Sequence, residues 1–199
     1  MRKIIFTAFY LAVFSLILFV QSSCSGEIEP KPKTHEEMVA LGKYLVHTSA
    51  CDDCHTPKIF TDKGPVFDTT KLLSGHQQGD VMPSLDITAL GQNQWIAGSM
   101  TLTAWVGPWG ISYASNLTPD KATGIGTMTE EMFIKTIREG KYMGVGRPLL
   151  PPMPWEVYAK KTDEDLKAMY AYLMSLKPIN NMVPQPTPPD KVAELLAKK

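Results

Sequence analysis

Cysteine is scarce in this 199-residue chain, which has three. The scarcity narrows its chemistry at once. Cys51 and Cys54 form its one C-x-x-C, and none of its four histidines completes an H-x-x-x-H. A structural zinc site needs four closed ligands, so a zinc ribbon here would have half its set. No βαβ pattern surrounds the pair, which removes a thioredoxin-like reading. Blocks of like charge are missing as well. Twenty Lys and Arg stand against twenty Asp and Glu, with no basic patch for nucleic acid and no charged interaction tail.

What is present begins with a segment that is not fold. Arg2 and Lys3 precede a largely apolar run from Ile4 to Val20, and Gln21-Ser22-Ser23 leads to Cys24. A positive start, an apolar stretch and small residues at a cleavage site spell an export signal over residues 1–23. Because the run is just long enough to span a bilayer, an uncleaved helical anchor is the alternative. Cys24 stands where the lipidated cysteine of a bacterial lipoprotein stands, although Gln21 replaces the leucine usual three places before it. Acyl chains there would hold the protein to a membrane. Residues 24–33, with Pro30, Pro32 and mixed charge, form a tether. The expected location is the periplasm or cell envelope. Loss of Arg2 and Lys3 leaves the mature chain slightly acidic.

The chemistry concentrates in Cys51-Asp52-Asp53-Cys54-His55, the C-x-x-C-H pattern of covalent c-type haem attachment. Cysteines three apart share one helical turn, so both sulfurs reach the two vinyl groups on one edge of the macrocycle. His55 then lies under the iron as a neutral imidazole ligand. One haem c, with its iron, is the expected cofactor.

Helical elements flank this motif. Thr34-His35-Glu36-Glu37 makes a capping box, and Met38, Leu41, Gly42 and Leu45 give the following helix one apolar face. A second helix starts at Thr162-Asp163-Glu164-Asp165, carries Leu166, Met169, Tyr170 and Leu173 at the same spacing, and ends before Pro178. Glycine costs about 1 kcal/mol inside a helix, so Gly42 marks the place where these two cross. Tyr170 and Leu173 are core residues first and cofactor wall second. A shorter helix covers Thr129 to Glu139 and stops at Gly140. Asp190 to Lys198 forms a last helix, set apart from the domain by Pro184, Pro186, Pro188 and Pro189.

Residues 56–120 show no sustained period and read as a long irregular insertion. Trp95, Trp105, Trp109 and Tyr113 give it burial, and 101–106 pairs with 94–97 as a small hairpin. The fold class is therefore mostly α, a helical domain over 34–183 around one covalent haem, with the insertion inside it and a proline-rich link and short helix over 184–199.

The sixth iron position decides between electron transfer and chemistry on a bound molecule. With 11 methionines in the chain, only context singles one out. Met153 sits in Pro151-Pro152-Met153-Pro154, where prolines fix the backbone, and is the chosen ligand opposite His55. His76, in Ser74-Gly75-His76-Gln77, is its rival, though its polar setting favours a surface turn. His35 and His47 mark the two ends of the first helix and read as surface residues.

CDDCH after an amphipathic helix, then a Met-Pro loop, Thr162-Asp-Glu-Asp-Leu and Ala171-Tyr172-Leu173, resemble a class I cytochrome c domain. Ser115 to Asp120, Thr123-Gly124-Ile125-Gly126 and Pro152-Met153-Pro154-Trp155 are similar to segments of cytochrome subunits of bacterial membrane-associated alcohol and sugar dehydrogenases. Those subunits often carry several C-x-x-C-H motifs, whereas this chain has one. The resemblance implies Cys51 and Cys54 as attachment points, His55 and Met153 as axial ligands, and redox partner proteins. Asn116 and Thr118 have a sufficient explanation as an Asx or ST turn, and Arg138 as a helix-surface charge.

The expected function is one-electron transfer from a dehydrogenase or quinol-linked donor to a downstream cytochrome or oxidase, not catalysis by the chain itself. A peroxidase-like or gas-binding haem protein with a displaceable distal ligand is the alternative. A third reading is a docking subunit within a larger complex.

Overall fold

The computed structural model describes residues 31–90 and 95–197. The expected export signal, Cys24 and most of the expected tether lie outside the described residues.

Two long helices frame the domain. α1 (His35–Thr48) opens on a capping box in which Thr34 and Glu37 each accept the other's backbone N–H, at 3.2 and 2.7 Å. A short second helix, α2 (Cys51–His55), follows after a turn at Ala50, whose φ of 57° reverses the chain. The fifth helix, α5 (Asp163–Ser175), opens on the equivalent box between Thr162 and Asp165. α1 and α5 cross at Gly42, as its place in the apolar face implied. A Cβ there would lie 1.8 Å from the Ala168 carbonyl oxygen, a distance only glycine avoids. Val46, Leu166, Met169, Tyr172 and Leu173 fill the crossing.

α3 (Glu130–Glu139) adds Phe133 and Ile137 to this core and ends on Gly140 in the left-handed region, φ 61°. α4 (Trp155–Tyr158) is a single turn leading into α5. Arg138 is more than a surface charge. Its guanidinium donates to the Ala159 carbonyl and, at 2.6 Å, to Asp163, so it ties α3 to the turn between α4 and α5.

The stretch 56–120 is more regular than its sequence suggests. β1 (Lys58–Thr61) and β2 (Gly64–Phe67) form an antiparallel hairpin that no periodicity signals. β3 (Ala97–Gly98), β4 (Ala104–Gly107) and β5 (Gly110–Tyr113) make an antiparallel sheet in that order. Ala97 pairs with Val106 and Gly98 with Trp105, so the expected hairpin exists, shifted toward the C-terminus and extended by a third strand.

The proline-rich segment does not hold the last helix away from the domain. Thr187 exchanges backbone hydrogen bonds with Ile111, at 2.8 and 2.9 Å. This brings α6 (Pro189–Ala197) onto the sheet, where Val192 and Leu196 bury against Val106 and Ile111. A small second core results, built from parts that sequence spacing treats as insertion and appendage.

Candidate cofactor site

A mostly apolar cavity lies between α2, α3, α5, the sheet and the segment from Leu149 to Pro154. Cys51, Cys54, His55 and Met153, the four residues singled out for cofactor binding, all line it. Two short helical and irregular segments far apart in sequence are thus brought to one space.

On the α2 side, His55 is fixed by its own ring. Nδ1–H donates to the Ser115 carbonyl at 2.7 Å, which leaves Nε2 as the nitrogen available to the cavity. Burial pushes the His55 pKa down, against smaller opposing effects of Ser115 and Asp52. The imidazole is therefore neutral at neutral pH, the form in which nitrogen donates its lone pair. The backbone behind it is pinned too, because Gly75 N–H donates to the His55 carbonyl at 2.7 Å and the buried Thr56 hydroxyl accepts from Leu73 N–H at 3.0 Å.

The two thiols are held protonated. Burial, with Asp52 adding to it, pushes Cys51 up to about 12, and burial also raises Cys54. Among the described residues no group of three His, Cys, Asp or Glu could hold a metal ion.

Another stretch of the wall is the loop of Met153. Its N–H donates to the Leu150 carbonyl at 3.2 Å, and Ser112 of β5 donates its hydroxyl to the Pro151 carbonyl. The Pro151–Pro152 peptide is cis. The inserted sheet thus supports the loop that carries Met153. Met128 and Met169 also line the cavity, but both are nearly fully buried in the α3–α5 core, whereas Met153 sits on a partly buried loop.

His76 is not the surface residue its neighbours suggested. It is 2% exposed, its Nδ1 lies 2.9 Å from the Thr103 hydroxyl, and its ring packs 4.9 Å from that of Tyr113. It is not among the residues lining the cavity. His35 is exposed, as expected. His47 is exposed as well, yet not idle: Nδ1 bonds Asp52 of the C-x-x-C-H turn and Nε2 lies 3.3 Å from the Tyr172 hydroxyl. Asn116 and Thr118 make the expected turn, with Thr118 N–H donating to Asn116 Oδ1 at 3.0 Å, and both also bond the Ile179 carbonyl. Leu173 is both core and cavity wall. Tyr170 packs on the core and donates to the Met128 carbonyl at 2.8 Å.

Several residues line or brace the wall in ways that sequence spacing does not announce. Tyr158 donates its hydroxyl to the Ser49 carbonyl at 2.7 Å and so fastens α4 to the joint between α1 and α2. Trp105 and Arg147 also line the cavity. Such residues are found by long-range geometry, which local patterns do not encode.

Two protonated thiols on one turn, a neutral imidazole with its Nε2 free, a thioether on another lining loop and apolar walls fit a covalently attached iron porphyrin.

No family model matches the chain, but curated proteins do. It is 31% identical over 159 residues to a fructose dehydrogenase cytochrome subunit from Gluconobacter japonicus, covering 79% of this chain and 25% of that protein. Identity to a gluconate 2-dehydrogenase cytochrome c subunit from Pantoea cypripedii is 29% over 160 residues, 80% of this chain and 28% of the other. An alcohol dehydrogenase (quinone) cytochrome c subunit from Gluconobacter oxydans (strain 621H) is 41% identical over 145 residues, 72% of this chain and 23% of its own length. The chain spans about a quarter of the length of the relatives it matches.

Proposed function

Because the chain is homologous over most of its length to cytochrome c subunits of fructose, gluconate and alcohol dehydrogenases, we propose that it is a single-haem electron carrier of the bacterial cell envelope. Cys51 and Cys54 would hold the porphyrin through thioethers, and His55 and Met153 would be the residues that ligate its iron. The observation that carries this reading is the convergence of those four side chains on one apolar cavity.

The bound iron supplies reversible one-electron chemistry, at a potential that imidazole and thioether ligation raise. The chain's own residues do the rest. Ser115 fixes the His55 tautomer and aims Nε2 inward, and Ser112 braces the loop of Met153. Phe133, Ile137, Leu166 and Leu173 keep the interior apolar. With His55 and Met153 both given to the iron, small molecules would have no open coordination site, and no acid or base is needed for electron transfer. Electrons pass from a dehydrogenase or quinol-linked donor to a downstream cytochrome or oxidase. Acyl chains on Cys24 tether the carrier to a membrane.

A denaturing gel stained for haem tests the reading. Stain should follow the exported wild-type chain at its mature size and vanish when Cys51 and Cys54 are both replaced by alanine. An unstained wild-type band from cells that mature c-type cytochromes contradicts it.

A further inference from the structure

Apart from the neutral His55, one ionisable side chain with a permanent charge lines the cavity. It is Arg147. It is exposed, which puts it at the rim, and its surroundings hold it there. Lys141 and Pro148 pair at the base of a short loop, and Tyr142 N–H donates to the Arg147 carbonyl at 2.9 Å. Met143 and Gly144, at φ 53° and 76°, turn the chain between them. The guanidinium packs 5.8 Å from the centre of the Tyr142 ring, and Nη1 donates to the Pro148 carbonyl at 3.3 Å. No carboxylate is seen to pair with it among the described residues.

A loop that fixes a cation at the mouth of an apolar cavity, without an anion of its own, is suited to an anion brought by the ligand. We propose that Arg147 binds a carboxylate of the porphyrin's propionate groups, an inference that rests on the haem reading above. A planar guanidinium takes a carboxylate through two parallel N–H bonds. An ionised carboxylate left against apolar walls without such a partner is costly. The same stretch of chain continues through Leu149, Leu150 and Pro152 to Met153 along the cavity wall. An Arg147–carboxylate pair therefore fastens the wall that presents the thioether. It also sets a positive charge at the mouth of the cavity, which would favour the reduced state because that state carries one more electron.

Potentiometric titration of the holoprotein tests this with Arg147→Gln and Arg147→Lys. Arg147→Gln should keep its covalent haem, show a lower midpoint than wild type, and gain a pH-dependent midpoint where carboxylates titrate. Arg147→Lys keeps the charge but not the fork, and should restore most of both properties. A glutamine variant whose midpoint and pH profile match wild type overturns the proposal. Should Arg147→Gln fail to load haem, a loaded Arg147→Lys still supports the clamp, while failure of both makes Arg147 a folding residue and overturns it. Wild type without haem would sink the haem reading itself, a result separable from all of these.

Discussion

At the scale of single residues, environment decides which of several like side chains acts. Three methionines line the cavity, and two of them are also buried core residues. Replacing Met153 with alanine should leave haem attached, lower the midpoint and let carbon monoxide bind the reduced protein rapidly. An unchanged spectrum and midpoint would move the distal ligand elsewhere. His76 offers a second residue-scale prediction. Burial lowers its pKa from the ordinary 6.5, only partly opposed by Asp80, so the unfolded chain takes up this proton at a higher pH than the folded one. Stability is then fully present above the unfolded value and falls as pH drops through about 6.5 toward the folded pKa. Urea denaturation against pH should show that loss, and His76→Gln should flatten it; an equally steep acid limb in the variant would assign it to other groups. His55 and the cysteines were legible because their pattern is local. The burial of His76 was not, since it depends on Thr103 and Tyr113, partners its neighbours in sequence do not announce.

At the scale of elements, the helices were legible and the strands largely were not. Caps at Thr34, Thr129 and Thr162 and the apolar spacing of α1 and α5 are written within one helix each. β1 and β2 have no buried face to impose alternation, since six of their eight residues are exposed, the other two are intermediate and none is buried. α6 was misplaced because four prolines suggested a spacer, whereas Thr187 uses that extended backbone to pair with Ile111. Leu196→Ala should cost about 2–5 kcal/mol, as for other buried leucines, if α6 docks on the sheet. A denaturation midpoint equal to wild type would return α6 to the role of an appendage. Gly42→Ala should cost about 3 kcal/mol or more, because the methyl group meets backbone and not a movable side chain. A stable variant with native helix content would mean that the α1–α5 crossing adjusts.

For the whole molecule, the insertion and the C-terminal segment are parts of the cofactor's housing. Ser112 reaches the loop of Met153 from the sheet, and Pro186 of the C-terminal segment lines the cavity together with Trp105 and Tyr113. Among the described residues no helix is long and apolar enough to cross a membrane. Cys24→Ser should move the protein from the membrane pellet to the soluble fraction; retention in the pellet would favour an uncleaved helix or a protein partner. The measurement that tests the central claim most directly is iron K-edge X-ray absorption of the purified, exported protein. Nitrogen scatterers with a single sulfur, the sulfur lost in Met153→Ala, are the predicted result. Iron with no sulfur neighbour in the wild type, or no iron at all, would contradict it.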